Sequence, residues 1–280
     1  MNLSTLPQKT REYNEFVMES GRWDHFTPRD GDIVICTPAK CGTTWTQMIC
    51  ALLIFQKTSL EKPLTEYSPW LDALLAPIDK VIAKLDAQSH RRFIKTHTPL
   101  DGLPYFEQVN YICVGRDPRD AFISLKNHTE NMRLEALELA QANATHDWRA
   151  PPPSPEDPCE WFQHWITGSC VSAPEHAAHA DVLHYVRSFW TYRHSPNILM
   201  VHFSDLKADL EGEMKRIAEF LGISVEPSLW PELVHAASFE HMKANADRYA
   251  PQVTDGVWKD TGRFFNRGTS GQWCDILGEE

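Results

Sequence analysis

Asp32-Ile33-Val34-Ile35-Cys36 is a β-branched run that ends in a turn and passes at once into apolar residues at helical spacing. No other feature limits the possible folds so much. Branched side chains pack well on a pleated surface, so the run reads as a short buried strand. Thr37 to Thr44 contains Pro38 and Gly42 and reads as a turn. Trp45, Met48, Ile49, Leu52 and Leu53 then recur on one face of an amphipathic helix. A strand, tight turn and helix in succession gather several backbone N–H groups at a helix N-terminus, which favours phosphate and sulfate. Here Gly42 would let the backbone approach an anion closely, Thr43 and Thr44 add hydroxyls, and Lys40 adds a mobile positive charge. The turn is not the G-x-x-x-x-G-K-[ST] loop of nucleoside triphosphatases, because lysine precedes the glycine and the first glycine is missing. On the residues alone, an ordinary capped turn accounts for it as well as an anion cradle does.

The same alternation continues along the chain. Phe93-Ile94, running into Lys95-Thr96-His97, Val109–Val114 and Ile198–Phe203 are further strand candidates. Asp120 to Leu125 has helical spacing after the polar turn Gly115-Arg116-Asp117-Pro118, in which Asp117, Arg119 and Asp120 read mostly as turn and cap residues. Asp209 is placed to cap a helix whose apolar face is Leu210, Met214, Ile217 and Leu221, with Gly222 as its stop. The residues before Pro28 read as a helical lead-in. Strands alternating with helices predict an α/β fold, a mainly parallel sheet flanked by helices. The proline-rich Pro151 to Pro158 stretch cannot be regular structure; it reads as a surface loop near 141–158 within one domain spanning 1–280, placed to serve as a lid over an acceptor site.

A formal net charge of -11 argues against nucleic-acid binding, though it leaves room for a local basic pocket. The longest apolar run, Met48 to Phe55, is too short to span a bilayer, and the polar N-terminus does not read as a signal peptide, so a cytoplasmic location is expected. The seven cysteines (Cys36, Cys41, Cys50, Cys113, Cys159, Cys170 and Cys274) form no C-x-x-C pair and read as reduced thiols. His176 and His179, with His184 later, lack the glutamate of a metal helix and read as a solvated face.

Lys40-Cys41-Gly42-Thr43-Thr44-Trp45 resembles the donor-binding loop of cytosolic sulfotransferases, whose usual form is T-Y-P-K-S-G-T-T-W. Lys95-Thr96-His97 resembles that family's K-T-H segment. Tyr111 to Asp120 with Ser124 resembles its 3′-phosphate site, and Asn266-Arg267-Gly268-Thr269-Ser270-Gly271-Gln272-Trp273 resembles R-K-G-x-x-G-D-W. Phe203 to Lys207, Ile217 to Gly222 and Ser238-Phe239 with Met242 also follow family patterns, so the likeness runs from about residue 30 onwards.

The resemblance implies one α/β domain with a P-loop-like core related to nucleotide kinases. It also implies transfer of a sulfonate from 3′-phosphoadenylyl sulfate (PAPS) to a phenol or alcohol hydroxyl of a small-molecule or lipid-like acceptor, releasing adenosine 3′,5′-bisphosphate (PAP) with no metal required. On that reading His97 is the base, since imidazole titrates near neutrality. Lys40 meets the bridging oxygen of the leaving phosphate, Lys95 supports the sulfonate oxygens, and Arg116 and Ser124 grip the 3′-phosphate. Ser124 would also restrain Lys40 before the acceptor arrives. Trp45 and Phe239 could stack on adenine or be core aromatics, and Cys41, Gly42, Thr43, Thr44, Asn266, Arg267 and Gly268 complete the donor site. Trp70, Phe106, Trp161, Phe162 and Trp165 could line an acceptor pocket or fill the core.

Five positions depart from the pattern: Cys41 for serine, Asn266 for arginine, Phe203 for tyrosine, Gln272 for aspartate and Ala237 for threonine. The family's C-terminal dimer segment does not appear before Glu280, so that mode of dimerisation is not expected. The competing readings are a small-molecule kinase on the same fold and a catalytically silent nucleotide-binding relative.

Overall fold

Four parallel strands in the order β2-β1-β3-β4 form the sheet of the computed structural model: β1 Ile33–Cys36, β2 Phe93–Thr96, β3 Asn110–Gly115 and β4 Ile198–His202. The structure describes residues 6–150, 153–167, 182–250, 258–265 and 267–278. All four residues of β1 are buried, as a central strand covered on both faces requires. Side chains alternate across a strand, so one apolar run feeds two cores. Ile33 and Ile35 of β1 and Ile112 and Val114 of β3 join the cluster built from Met48, Ile49, Leu52 and Leu53 of helix α1 (Thr43–Phe55). Val34, Cys36, Tyr111 and Cys113 face the opposite cluster, which holds Leu100, Tyr185 and Phe189. Each such fully buried side chain is worth about 1.5–3 kcal/mol, so both faces hold the sheet and not α1 alone.

The fold is thus the expected single-domain α/β arrangement, with several local differences. The lead-in before Pro28 is not an α-helix. Among its described residues the helical element is a 3₁₀ turn, Ser20–His25, with isolated bridges at Asn14 and Met18, and its backbone bonds outward, Thr10 N–H to the Asp101 carbonyl, Ser20 N–H to that of Tyr13 and Glu19 N–H to that of Asp72. β4 stops at His202, and Phe203 opens a short helix, Phe203–Ala208. Asp209 caps the helix Leu210–Phe220 by accepting from the Gly212 N–H at 2.8 Å, and Gly222 lies just past its end. Within the proline-rich stretch, Pro158 starts a helix, Pro158–Ile166, with Asp157 as its N-cap; proline suits that first position because its missing N–H is not needed there. Pro151 and Pro152 lie outside the described residues, as do Cys170, His176 and His179. Cys36, Cys41, Cys50, Cys113, Cys159 and Cys274 are free thiols. Among the described residues no helix is long and apolar enough to cross a membrane.

Candidate active site

β1 and β2 run in register, Cys36 beside Thr96, and β3 pairs alongside, so the segments that follow them leave from one edge of the sheet. Ligands of open parallel sheets bind at that carboxyl edge. The turn 37–42, His97 and Arg116 all emerge there.

The first turn is held in an uncommon backbone state. Lys40 has φ 65° and Gly42 φ 107°, and a lysine there costs about 1–3 kcal/mol, which its surroundings must offset. Gly42 also lies against Phe203, whose ring would be 3.2 Å from an added Cβ. Thr43 and Thr37 share a hydroxyl bond of 2.5 Å. Cys41 is turned inward from the same turn. Its side chain is fully buried against Ala121, Phe122 and Trp161, its N–H donates to the Pro38 carbonyl, and burial pushes its thiol up to about 12. It packs the turn onto the helix Pro118–Asn131 as a neutral side chain.

Lys40 Nζ lies 3.2 Å from His128 Nδ1 and 4.7 Å from the centre of the Phe264 ring. Burial lowers the Lys40 ammonium to about 7, helped by the charges of Lys95 and Arg116. Burial lowers Lys95 to about 8, while Asp72 pulls the other way; Lys95 Nζ sits 3.9 Å over the ring of Trp70. Among the described residues none of these three cations has a carboxylate within ion-pair distance. Three converging, partly desolvated cations of this kind fit an anion of more than one negative charge.

Arg116 reaches back and forward at once. Nη1 donates to the Lys40 carbonyl at 3.0 Å, Nη2 to the Thr269 carbonyl at 3.4 Å, and the guanidinium lies 4.3 Å over Phe203. Ser124 is half-buried on the same helix as His128, one turn before it; the hydrogen bond Lys40 makes is to His128. Sequence reasoning missed His128, although its i+4 spacing from Ser124 puts both on one helix face.

His97 is buried, and its Nδ1 lies 2.6 Å from the Thr37 carbonyl. A carbonyl only accepts, so Nδ1 carries the hydrogen and Nε2 holds the lone pair in the neutral ring. The Trp70 ring meets His97 edge-on at 4.9 Å. Among the five aromatics considered for the acceptor pocket, Trp70 is the one against this pair. Trp161, Phe162 and Trp165 pack on Phe122, and Phe106 packs on Phe26.

The distant donor-site candidates also converge. Trp45 donates from its indole to the Ala237 carbonyl at 2.7 Å and meets Phe203 edge-on. Gly268, at φ 65°, lies so close to Phe239 that an added Cβ would come within 2.6 Å of the ring. Thr44 is half-buried, Arg267 is exposed, and Asn266 lies outside the described residues. Asp117 is a cap, accepting from the Arg119 N–H at 2.9 Å. Asp120 is more than a turn residue. Buried, it accepts from the Gly271 N–H at 2.9 Å and the Gln272 N–H at 3.0 Å, tying the C-terminal loop to the helix that carries Ser124. His184 is half-buried and not merely part of a solvated face; its Nε2 lies 3.0 Å from Asp101 and 3.1 Å from the Tyr13 hydroxyl. Hydrogen bonds to a charged acceptor contribute about 1.5–3 kcal/mol each. Asp120→Ala is therefore expected to speed amide hydrogen exchange of the 267–273 loop by roughly tenfold or more; unchanged exchange would mean that the loop is held without the latch.

A family model described as Sulfotransferase domain matches residues 30–280. The chain is 42% identical over 282 residues to a glycolipid sulfotransferase of Mycobacterium bovis (strain BCG / Pasteur 1173P2), covering 95% of this chain and 86% of that protein. It also resembles the crystal structure of mouse sulfotransferase SULT7A1 complexed with PAP, with TM-score 0.66 and 22% identity over 91% of this chain and 81% of that one. A retinol dehydratase in complex with androsterone and PAP matches with TM-score 0.66 and 20% identity over 92% and 81%. With the match reaching from just before β1 to the end of the chain, and so taking in the Lys40 turn, Lys95, His97, Arg116 and the Gly268 loop together, this protein belongs to the sulfotransferase family.

Proposed function

We propose that the chain transfers a sulfonate group from PAPS to a hydroxyl of a small-molecule or lipid-like acceptor by direct in-line transfer, with PAP as product. The observation that carries this reading is the trio Lys40, Lys95 and Arg116, held at one sheet edge without carboxylate partners among the described residues. The bound donor would supply the sulfonate and its phosphate leaving group. The residues do the rest. Thr37 holds the His97 ring in the tautomer whose Nε2 can take the acceptor proton. Lys95 serves the sulfonate oxygens, and Lys40, leaving His128, neutralises charge on the departing phosphate. Arg116, Ser124, Arg267 and Gly268 serve the 3′-phosphate end, and Trp45 and Phe239 the adenine. This division of labour calls for no metal. The reading places one domain over 1–280 in the cytoplasm, with no nucleic-acid partner.

A kinase using the same fold would need its lysine after the glycine, which the Lys40-Cys41-Gly42 order does not offer. A silent relative would have no use for the oriented His97.

Titration with PAP, AMP and ATP tests the donor. Binding that depends on the 3′-phosphate supports the reading, and Mg²⁺-dependent ATP turnover overturns it. The same titration has a pH signature. An anion favours the charged ammonium, so binding raises the Lys40 and Lys95 values from about 7 and about 8. Protons are therefore taken up on binding near pH 7.5, and affinity falls as pH rises through that window. Buffers of different ionisation enthalpy read the uptake; proton release would contradict the lowered lysines.

A further inference from the structure

Beside His97, three segments bring together an unusual set of buried charges. Glu19 donates its backbone N–H to Asp72 at 2.9 Å, and Trp70 and Asp72 lie on the strand-like stretch next to β2. The stretch expected as loop from 141 begins as the end of a helix, Leu134–Asn143, whose Asn143 donates to the Leu74 carbonyl at 3.1 Å; beyond it Trp148 donates to the Phe16 carbonyl at 2.9 Å. Between these anchors the Thr145 hydroxyl donates to Glu19 Oε1, and His146 Nδ1 lies 3.7 Å from the same oxygen. Glu19 is 7% exposed, Arg22 4% and Asp72 0%.

Part of this polar set is well bonded. Asp72 Oδ2 accepts from Thr96 and Thr98, each at 2.5 Å, and from the Trp23 indole at 3.2 Å, while Arg22 Nη2 donates to the Ala76 carbonyl at 2.7 Å. The rest has no hydrogen-bond partner among the described residues: Glu19 Oε2, Asp72 Oδ1, Arg22 Nε, His146 Nδ1 and Trp70 Nε1. Buried polar atoms are almost always bonded, so several orphans in one place call for a particular occupant. Trp70 links them to the chemistry, since its ring touches both His97 and Lys95.

We propose that this cluster is a head-group subsite for a hydroxyl-rich acceptor, a sugar ring or comparable polyol, one hydroxyl of which is presented to His97. The inference rests on the sulfotransferase reading above. The orphans include both donors, Arg22 Nε and Trp70 Nε1, and acceptors, Glu19 Oε2 and Asp72 Oδ1, and a hydroxyl is the group that can satisfy either kind. A cationic head group would meet Arg22 and an anionic one would meet Glu19 and Asp72, so a neutral ligand suits the mixed charges. A phenol or sterol has a single hydroxyl, which His97 takes, leaving the cluster unsatisfied. Thr145 and His146 cover Glu19, so they must lift for the acceptor to enter and then seal it in.

The test compares hexyl β-D-glucoside with 1-hexanol, titrated into the PAP complex of the full chain. Wild type should bind the glucoside at least tenfold more tightly than the alcohol. Glu19→Ala, and His146→Ala on the covering loop as a variant less demanding of the fold, should abolish that preference while PAP affinity stays within about twofold. Equal binding of the two ligands by wild type, or a preference that survives both variants, would overturn the proposal and leave buried water as the occupant. Failure of wild type to bind PAP would instead overturn the sulfotransferase reading beneath it.

Discussion

Turnover by the His97→Ala variant is expected to fall by about 10²–10⁴-fold while PAP still binds, the loss typical of removing a positioned general base. The argument is geometric. With Nδ1–H fixed 2.6 Å from the Thr37 carbonyl, the lone pair of the neutral ring is at Nε2. Thr37 is itself tied to Thr43 at the start of α1, so the His97 ring and the Lys40 turn are held by the same two residues. The ring is buried, and Trp70 supports its edge. His97→Gln should be nearly as inactive, since an amide keeps the hydrogen-bonding shape but takes up no proton near neutrality. Steady-state rates with any working acceptor, together with PAP affinity by calorimetry, provide the check. Turnover within a few-fold of wild type would remove His97 from the mechanism. Loss of PAP binding in step with turnover would assign it a structural role instead.

The second large effect is expected at Lys40. Lys40→Met keeps most of the side-chain volume and removes the charge, and kcat should fall by about 10²–10³-fold, as when one preorganised group facing developing charge is lost. PAP affinity should fall much less, because Arg116 and the backbone of the turn remain. This split matters, since an interaction made mainly in the transition state lowers kcat, whereas one made equally in the ground state raises KM. The resting contact with His128 sharpens the expectation. Burial, with the charges of Lys95 and Arg116, holds the Lys40 ammonium at about 7, so a phosphate placed against it would favour the full positive charge. An unchanged kcat with a raised KM for the donor would show that Lys40 only binds.

Much of this site could be read from the chain because its parts are local. The β-branched run at β1, the Lys40 turn and the start of α1 depend on residues within a few positions of one another, and the apolar runs and helical spacings match the observed β1 and α1 closely. The K-T-H segment and the Arg116 turn were legible for the same reason, each following directly on a strand. The lead-in before Pro28 failed the same test. Its mixed polarity resembles a helix, but its N–H groups bond to Asp101, Tyr13 and Asp72 instead of to its own carbonyls. What spacing did not record is direction: in the tight turn the Cys41 side chain points into the cluster of Ala121, Phe122 and Trp161.

The sequence by itself determined the order of strands and helices, the parallel sheet they imply, and the residue types gathered at its carboxyl edge. Only the tertiary structure decided which of those residues meet. Lys40 finds His128 88 positions away, Asp120 finds Gly271 151 positions away, and Trp45 finds Ala237 192 positions away. The buried Glu19, Arg22 and Asp72 and the half-buried His146 likewise join three segments with no shared pattern. The physical reason lies in the range of the forces involved. Backbone propensity and hydrophobic period act over one turn or one strand, whereas desolvation and hydrogen-bond satisfaction depend on whatever the folded chain brings alongside.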